Sequence, residues 1–229
     1  MFLLDILYPK HCFICKKLGD YICDRCKFKL RLINHDICIY CDKSSYLGLT
    51  HPACKRKYGI DGCVFIYKYD NYLKTIIKTL KYRLVKDGFE RLMSISFAPS
   101  RTKLSSLINA LDIIPILSPI PLNKSRKNQR GFNQSDIISS YLSLHLRLEN
   151  EEYLIRVKKT KTQAKLESKR LRYNNIRGAF MLNTNVSVLG KNIILIDDVI
   201  TSGATVKEAV SVLKKNKALN VFVFALAKG

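Results

Sequence analysis

Two adjacent carboxylates, Asp197 and Asp198, close the β-branched apolar run Ile193–Ile196 and lead into Thr201, Ser202, Gly203, Ala204 and Thr205. Val206, Ala209, Val210 and Leu213 then recur at helical spacing, so the segment predicts a strand, a turn and a helix in that order. Backbone amides in the first turn of a helix have no partners within it, and the helix dipole favours negative charge there. The small residues let this backbone approach a phosphate closely, and the hydroxyls of Thr201, Ser202 and Thr205 add donors. Two carboxylates at the strand tip accept hydrogen bonds from vicinal hydroxyls. A phosphate beside a diol describes a ribose 5-phosphate. The Gly-Lys-Ser/Thr ending of a P-loop and the glycine fingerprint of a Rossmann dinucleotide site are both absent.

A second set of residues has metal chemistry. Cys12 and Cys15, Cys23 and Cys26, and Cys38 and Cys41 form Cys-x-x-Cys pairs, followed by His51-x-x-Cys54. A two-residue spacing lets a tight knuckle aim both sulfurs at one tetrahedral Zn²⁺, and two knuckles close a four-ligand structural site. Two zincs fit this pattern, with Cys12, Cys15, Cys23 and Cys26 as one ligand set and Cys38, Cys41, His51 and Cys54 as the other. Crossed pairing is equally compatible with the spacing alone. A closed four-ligand zinc leaves no position for water, so the expected role is structural. Cys63, alone beside an apolar run, is expected to be a buried filler.

The anion-binding segment resembles the phosphoribosyl-pyrophosphate motif of type I phosphoribosyltransferases. Three further stretches, TLKYR at 79–83, PLNKSRKNQRGFNQ at 121–134 and TKTQAKLESKRLRYNNIRGAF at 160–180, resemble the ComF family of competence proteins. With the cysteine-rich start, the resemblance spans nearly the whole chain. It implies that Asp197 and Asp198 hold the ribose hydroxyls and that Thr201–Thr205 wraps the 5-phosphate. It also implies that the Arg130-Gly131-Phe132-Asn133-Gln134 signature belongs to a pyrophosphate loop, with Lys124, Arg126 and Arg130 as pyrophosphate ligands and Mg²⁺ arriving with the diphosphate. Thr162, Gln163, Leu166, Arg170 and Asn175 match the family pattern where phosphoribosyltransferases carry a mobile loop. The implied role is uptake and handling of single-stranded DNA during natural transformation, beside other DNA-uptake proteins such as a helicase. Lys127, Arg130, Arg170, Arg172 and Arg177 are the expected nucleic-acid contacts. The alternative is an active phosphoribosyltransferase acting on an unidentified nitrogenous acceptor, with Asp197 and Asp198 as catalytic residues and Asp198 assisting proton movement.

The elements that position these groups are those of a parallel-sheet α/β domain, expected over residues 61–229 after a zinc module at 1–60. VFIYKY, IIPIL at 113–117, NIILID and NVFVFALA predict strands. Leu73, Ile76, Ile77 and Leu80 mark one helix face, while Ile138, Tyr141, Leu142 and Leu148 mark another that Ser135 is placed to cap. PSRTKLSS at 99–106 reads as a loop. Strands alternating with helices indicate a parallel sheet with covered faces, and ligands then collect at the carboxyl ends of its strands.

Charge points the same way. Forty basic residues against 18 acidic leave +22, which favours a polyanionic partner. The apolar run at 113–122 is interrupted by Pro115, Pro119 and Pro121, so no bilayer span is expected. The opening has no basic n-region and contains Asp5, which argues against a signal peptide and for a cytoplasmic location. In that reducing compartment paired thiols suggest metal more than disulfides.

Overall fold

The computed structural model describes residues 9–83, 86–160 and 168–229, so the motif positions Thr162, Gln163 and Leu166 lie outside the described residues. Four parallel strands form the main sheet, in the order β1 (Gly62–Lys68), β6 (Asn220–Lys228), β5 (Asn192–Ile200) and β2 (Ile116–Pro119). The central pair, β5 and β6, is apolar on both sides, as a parallel strand covered on both faces requires.

On one face, α2 (Asn71–Arg83), α3 (Lys86–Asn109) and α5 (Gln134–Leu146) bury Leu73, Ile76, Leu92, Leu104 and Ile138 against Val64, Ile194 and Phe224. On the other, α7 (Ala204–Lys215) lays Ala209, Val210 and Leu213 on Ile193, Leu195 and Val223. An antiparallel ribbon of β3 (Leu154–Arg156) and β4 (Phe180–Leu182) shares that face. Short helices α1 (Asp24–Lys27), α4 (Lys124–Arg130) and α6 (Lys169–Ile176) complete the set.

The cysteine-rich segment is not a separate bead. Ile33 donates to the Ile66 carbonyl and Lys68 to that of Arg31, and Leu32 and Leu49 form bridges to Tyr67 and Gly62. The segment thus covers the outer edge of β1, a row of backbone groups that would otherwise be open to pairing. Phe13, Ile22 and Leu30 enter the core on the α2 side of the sheet, and Ile39 and Ile60 the core on the other.

Residues 99–106 are helical and not a loop. Pro99 has no N–H to donate to the Ile95 carbonyl, yet the helix continues through it, with hydroxyls bonding back to carbonyls on either side: Ser96 to Leu92, Ser100 to Ser96, and Thr102 to Ala98. Ser96, Ser100, Leu104 and Leu107 form one buried stripe, half of it polar, which hides its helical period from an apolar count. The second strand starts at Ile116, three residues later than the apolar run. The cap of α5 is Asn133, whose side chain accepts from the Ser135 amide. The basic stretch after β2 folds as helix α4, capped by Asn123 and ended by Gly131 in the left-handed region.

Candidate functional site

Asp197 and Asp198 lie within β5, not beyond its end. β2 stops at Pro119 opposite Ile196, and the last bond on that side runs from the Ile120 amide to the Ile196 carbonyl. From Asp197 onward, β5 is paired only with β6, where Ala225 and Ala227 stand beside Asp197 and Val199. The acid pair therefore sits where one neighbouring strand has ended, which is the crevice expected at the carboxyl end of a parallel sheet.

The two carboxylates live in different environments. Side chains two apart on a strand share a face, so Asp198 follows Ile194 and Ile196 toward the helices and meets Lys81 of α2 in an ion pair. Asp197 accepts from the Asp198 amide at 2.9 Å and faces the Ser135 hydroxyl at 3.4 Å. Burial, and then the adjacent Asp198 charge, push the Asp197 carboxyl up to about 7, with Lys81 acting against both.

Two guanidinium groups meet at Thr160, and the charge of one, Arg156, interacts with Asp197. Arg126 of α4 donates to the Thr160 carbonyl at 2.9 Å, and Arg156 of β3 to the Thr160 hydroxyl at 2.6 Å. Burial and the neighbouring Arg126 lower Arg156 to about 10, while Asp197 favours its charge. The Arg156 guanidinium also lies over the Phe180 ring, 5.3 Å from its centroid. Two shielded donors lack a partner among the described residues, Arg156 Nε and Gln134 Nε2. Gln134 opens α5 and accepts at Oε1 from Arg130 at 3.1 Å.

The turn after β5 ends at Gly203, φ +71°, which places the chain to start α7. A side chain there would have ordinary room, so the left-handed backbone, not crowding, is what favours glycine. Ser202 accepts from the Ala204 amide at 3.4 Å, and Thr201 is exposed.

The eight predicted metal ligands converge in two sets of four. In each set, Cys12, Cys15, Cys23, Cys26 and Cys38, Cys41, His51, Cys54, the ligand atoms all lie within 4.8 Å of one another. The knuckles repeat: Cys12 accepts from the Lys16 amide and Cys38 from the Asp42 amide, with Lys16 and Asp42 both left-handed at φ 64° and 60°. In the second set His51 Nε2 donates to the Ser44 carbonyl at 3.0 Å, leaving Nδ1 to face Cys41 Sγ at 3.3 Å. This donor chemistry fits Zn²⁺, four soft or borderline ligands with a backbone partner fixing the histidine tautomer. None of the eight cysteines is in a disulfide.

Residues 3–56 match the family model described as a double zinc ribbon domain. The chain is 31% identical over 230 residues to the DNA utilization protein YhgH of Escherichia coli O6:H1 strain CFT073, covering 90% of this chain and 96% of that one. It is 29% identical to competence protein ComFC of Bacillus subtilis strain 168 (93% and 86% covered) and 26% identical to competence protein F of Haemophilus influenzae Rd (91% and 97% covered). This chain belongs to the ComF family of competence proteins. The crystal structure of adenine phosphoribosyltransferase from Leishmania donovani aligns on 66% of this chain and 68% of that one at 12% identity, with a TM-score of 0.35 too low to build on.

In this ComF chain, the expected site residues fall into three places. Asp197, Asp198, Thr201–Thr205 and Arg126 gather around the end of β5, and Arg130 lies nearby on Gln134. Lys127 turns to Asp136 at 3.8 Å, and Lys124 is exposed at the start of α4. Arg170, Arg172 and Arg177 belong to α6 and its C-cap, which is tied to α7 by the Gly178 amide donating to Glu208 at 2.7 Å. The zinc ribbons form a further centre, and the second ribbon reaches the start of α7, where Lys207 lies 5.4 Å from the Tyr40 ring centroid. Cys63 is buried and donates to the Ile37 carbonyl, and burial drives its thiol up, as an inert filler requires. Lys81, Ser135 and Arg156 had no expectation as site residues, Ser135 being expected only as a helix cap. Lys81 lies within the TLKYR stretch that marks the family, but no spacing rule connects it to Asp198. Among the described residues no helix is long and apolar enough to cross a membrane.

Proposed function

We propose that this ComF protein binds phosphoribosyl pyrophosphate with Mg²⁺ at the end of β5 and serves the handling of incoming single-stranded DNA in competence. One observation carries the ligand: a pair of carboxylates, held by Lys81 and Ser135, stands between a helix-opening turn of small residues and the paired guanidinium groups of Arg126 and Arg156. Asp197 and Asp198 would take the ribose hydroxyls, Thr201–Thr205 the 5-phosphate, and Arg126, Arg130 and Lys124 the pyrophosphate. Arg156 Nε and Gln134 Nε2 supply two further donors suited to phosphate oxygens. Mg²⁺ would neutralise the diphosphate. The DNA role rests on the relatives named for DNA utilization and competence and on the +22 charge.

Transfer chemistry is the second reading, favoured by the electrostatics of the acid pair. Burial and the neighbouring Asp198 charge raise the Asp197 carboxyl to about 7, so the acid pair is suited to proton movement near neutral pH. Titration calorimetry with phosphoribosyl pyrophosphate and Mg²⁺, run with and without oligonucleotide, tests the binding reading. A shared loop predicts that each ligand alters the affinity of the other by the same factor. Pyrophosphate release with any acceptor would establish the enzyme; absence of ligand binding would remove both.

A further inference from the structure

The first zinc ribbon carries a concentration of charge that the phosphoribosyl site does not use. Residues 10–31 hold seven Lys and Arg against two Asp, and those two are engaged, Asp20 by Arg91 and Asp24 by Lys27 and Arg91. The metal ligands Cys15, Cys23 and Cys26 stand in a cleft edged by Lys16, Lys17, Arg25 and Lys29, and among the described residues no carboxylate lines it. Lys17 and Arg25 have no acidic partner among the described residues. Four thiolates around Zn²⁺ leave about two negative charges, fewer than the cations that surround them.

Beside the cleft, Phe28 is 82% exposed in the α1 C-cap, an unusual place for a ring with no core function. Lys27 lies 5.3 Å from its centroid, and Lys29 lies 5.0 Å from that of Tyr72, itself partly exposed. Aromatic rings alternating with flexible cations suit a polyanion that also offers flat faces. A single-stranded nucleic acid has both, with phosphates for the lysines and unpaired bases for the ring. An acidic polypeptide has only the charge. A duplex keeps its base faces stacked internally.

We infer that the basic cleft of the first zinc ribbon, with Phe28 at its side, is a single-stranded DNA binding surface distinct from the phosphoribosyl site and from α6. The inference rests on the DNA role proposed above and places a contact surface for that partner. Zinc bound by Cys12, Cys15, Cys23 and Cys26 would hold the surface in shape.

Fluorescence anisotropy of a labelled oligothymidylate of about 20 nucleotides with the zinc-loaded full chain tests it, zinc content and circular dichroism verifying each variant. The Lys16→Gln, Lys17→Gln, Arg25→Gln variant is expected to flatten the slope of log affinity against log salt by about two, since each phosphate neutralised contributes about 0.7. Phe28→Ala is expected to weaken binding about fivefold or more at an unchanged slope, with Phe28→Tyr restoring it. Wild-type affinity in both sets, with loss confined to an Arg170→Gln, Arg172→Gln, Arg177→Gln variant, would overturn this inference and leave the DNA role standing. No binding by the wild-type protein would overturn both. Equal binding of polyglutamate or anionic vesicles, insensitive to Phe28→Ala, would overturn the assignment to a nucleic acid.

Discussion

At the scale of single residues, burial of the acid pair works against stability. A carboxyl raised to about 7 in the fold but titrating near 3.9 when unfolded favours folding fully below the lower value and loses that contribution as pH rises through the upper one. Asp197→Asn keeps the oxygen that accepts from the Asp198 amide and removes the charge. Its melting temperature should exceed the wild type's by roughly 2 °C or more at pH 8, and the gap should close by pH 4; a gap that persists in acid would refute the burial argument. Lys81→Met should do the opposite at pH 8, because it leaves two adjacent carboxylates without their cation. Its deficit should shrink in acid, measurable by denaturant unfolding at the two pH values.

Among the elements, the zinc ribbons are the most directly readable from sequence, because metal geometry admits few ligand spacings and the cysteines announce them. The β5-turn-α7 unit was equally legible, since Ile193–Ile196, the acids and Gly203 each have a local reason for their place. What stayed hidden was set by tertiary packing: serines at positions 96 and 100 forming half of a buried helix stripe, and Arg156 reaching Thr160 beside Arg126. The docking of the ribbons on β1 was hidden too, and it has a thermal consequence. Phe13, Ile22 and Leu30 share a core with Leu73 and Val64, so stripping zinc with a chelator should lower one cooperative melting transition instead of melting a detached module. Two resolved transitions in calorimetry would show the units to be independent. Gly48 marks the tightest contact of that docking: a Cβ there would lie 1.9 Å from the Cys63 carbonyl oxygen, and its φ is +71°. Gly48→Ala should cost about 2 kcal/mol or more, read from urea unfolding, whereas Gly203→Ala, with ordinary room, should cost about half that.

For the whole molecule, the proposed phosphate-rich ligands rest on three features: the acid pair with its small-residue turn, the guanidinium pair at Thr160, and a net charge of +22. The α6 arginines belong to the surface term. Replacing Arg170, Arg172 and Arg177 by Gln should flatten the salt dependence of single-strand affinity by about two units, with little effect on sequence preference. An unaltered slope would leave the charge of α6 without a DNA role. The central claim concerns the ligand at β5, and calorimetry on Asp197→Ala, Asp198→Ala tests it most directly. Charge-assisted hydrogen bonds contribute about 1.5–3 kcal/mol each, so the folded double variant should bind phosphoribosyl pyrophosphate at least ~3 kcal/mol more weakly than the wild type in the presence of Mg²⁺. Unchanged affinity in a variant that keeps its zinc and its circular dichroism spectrum would contradict the account.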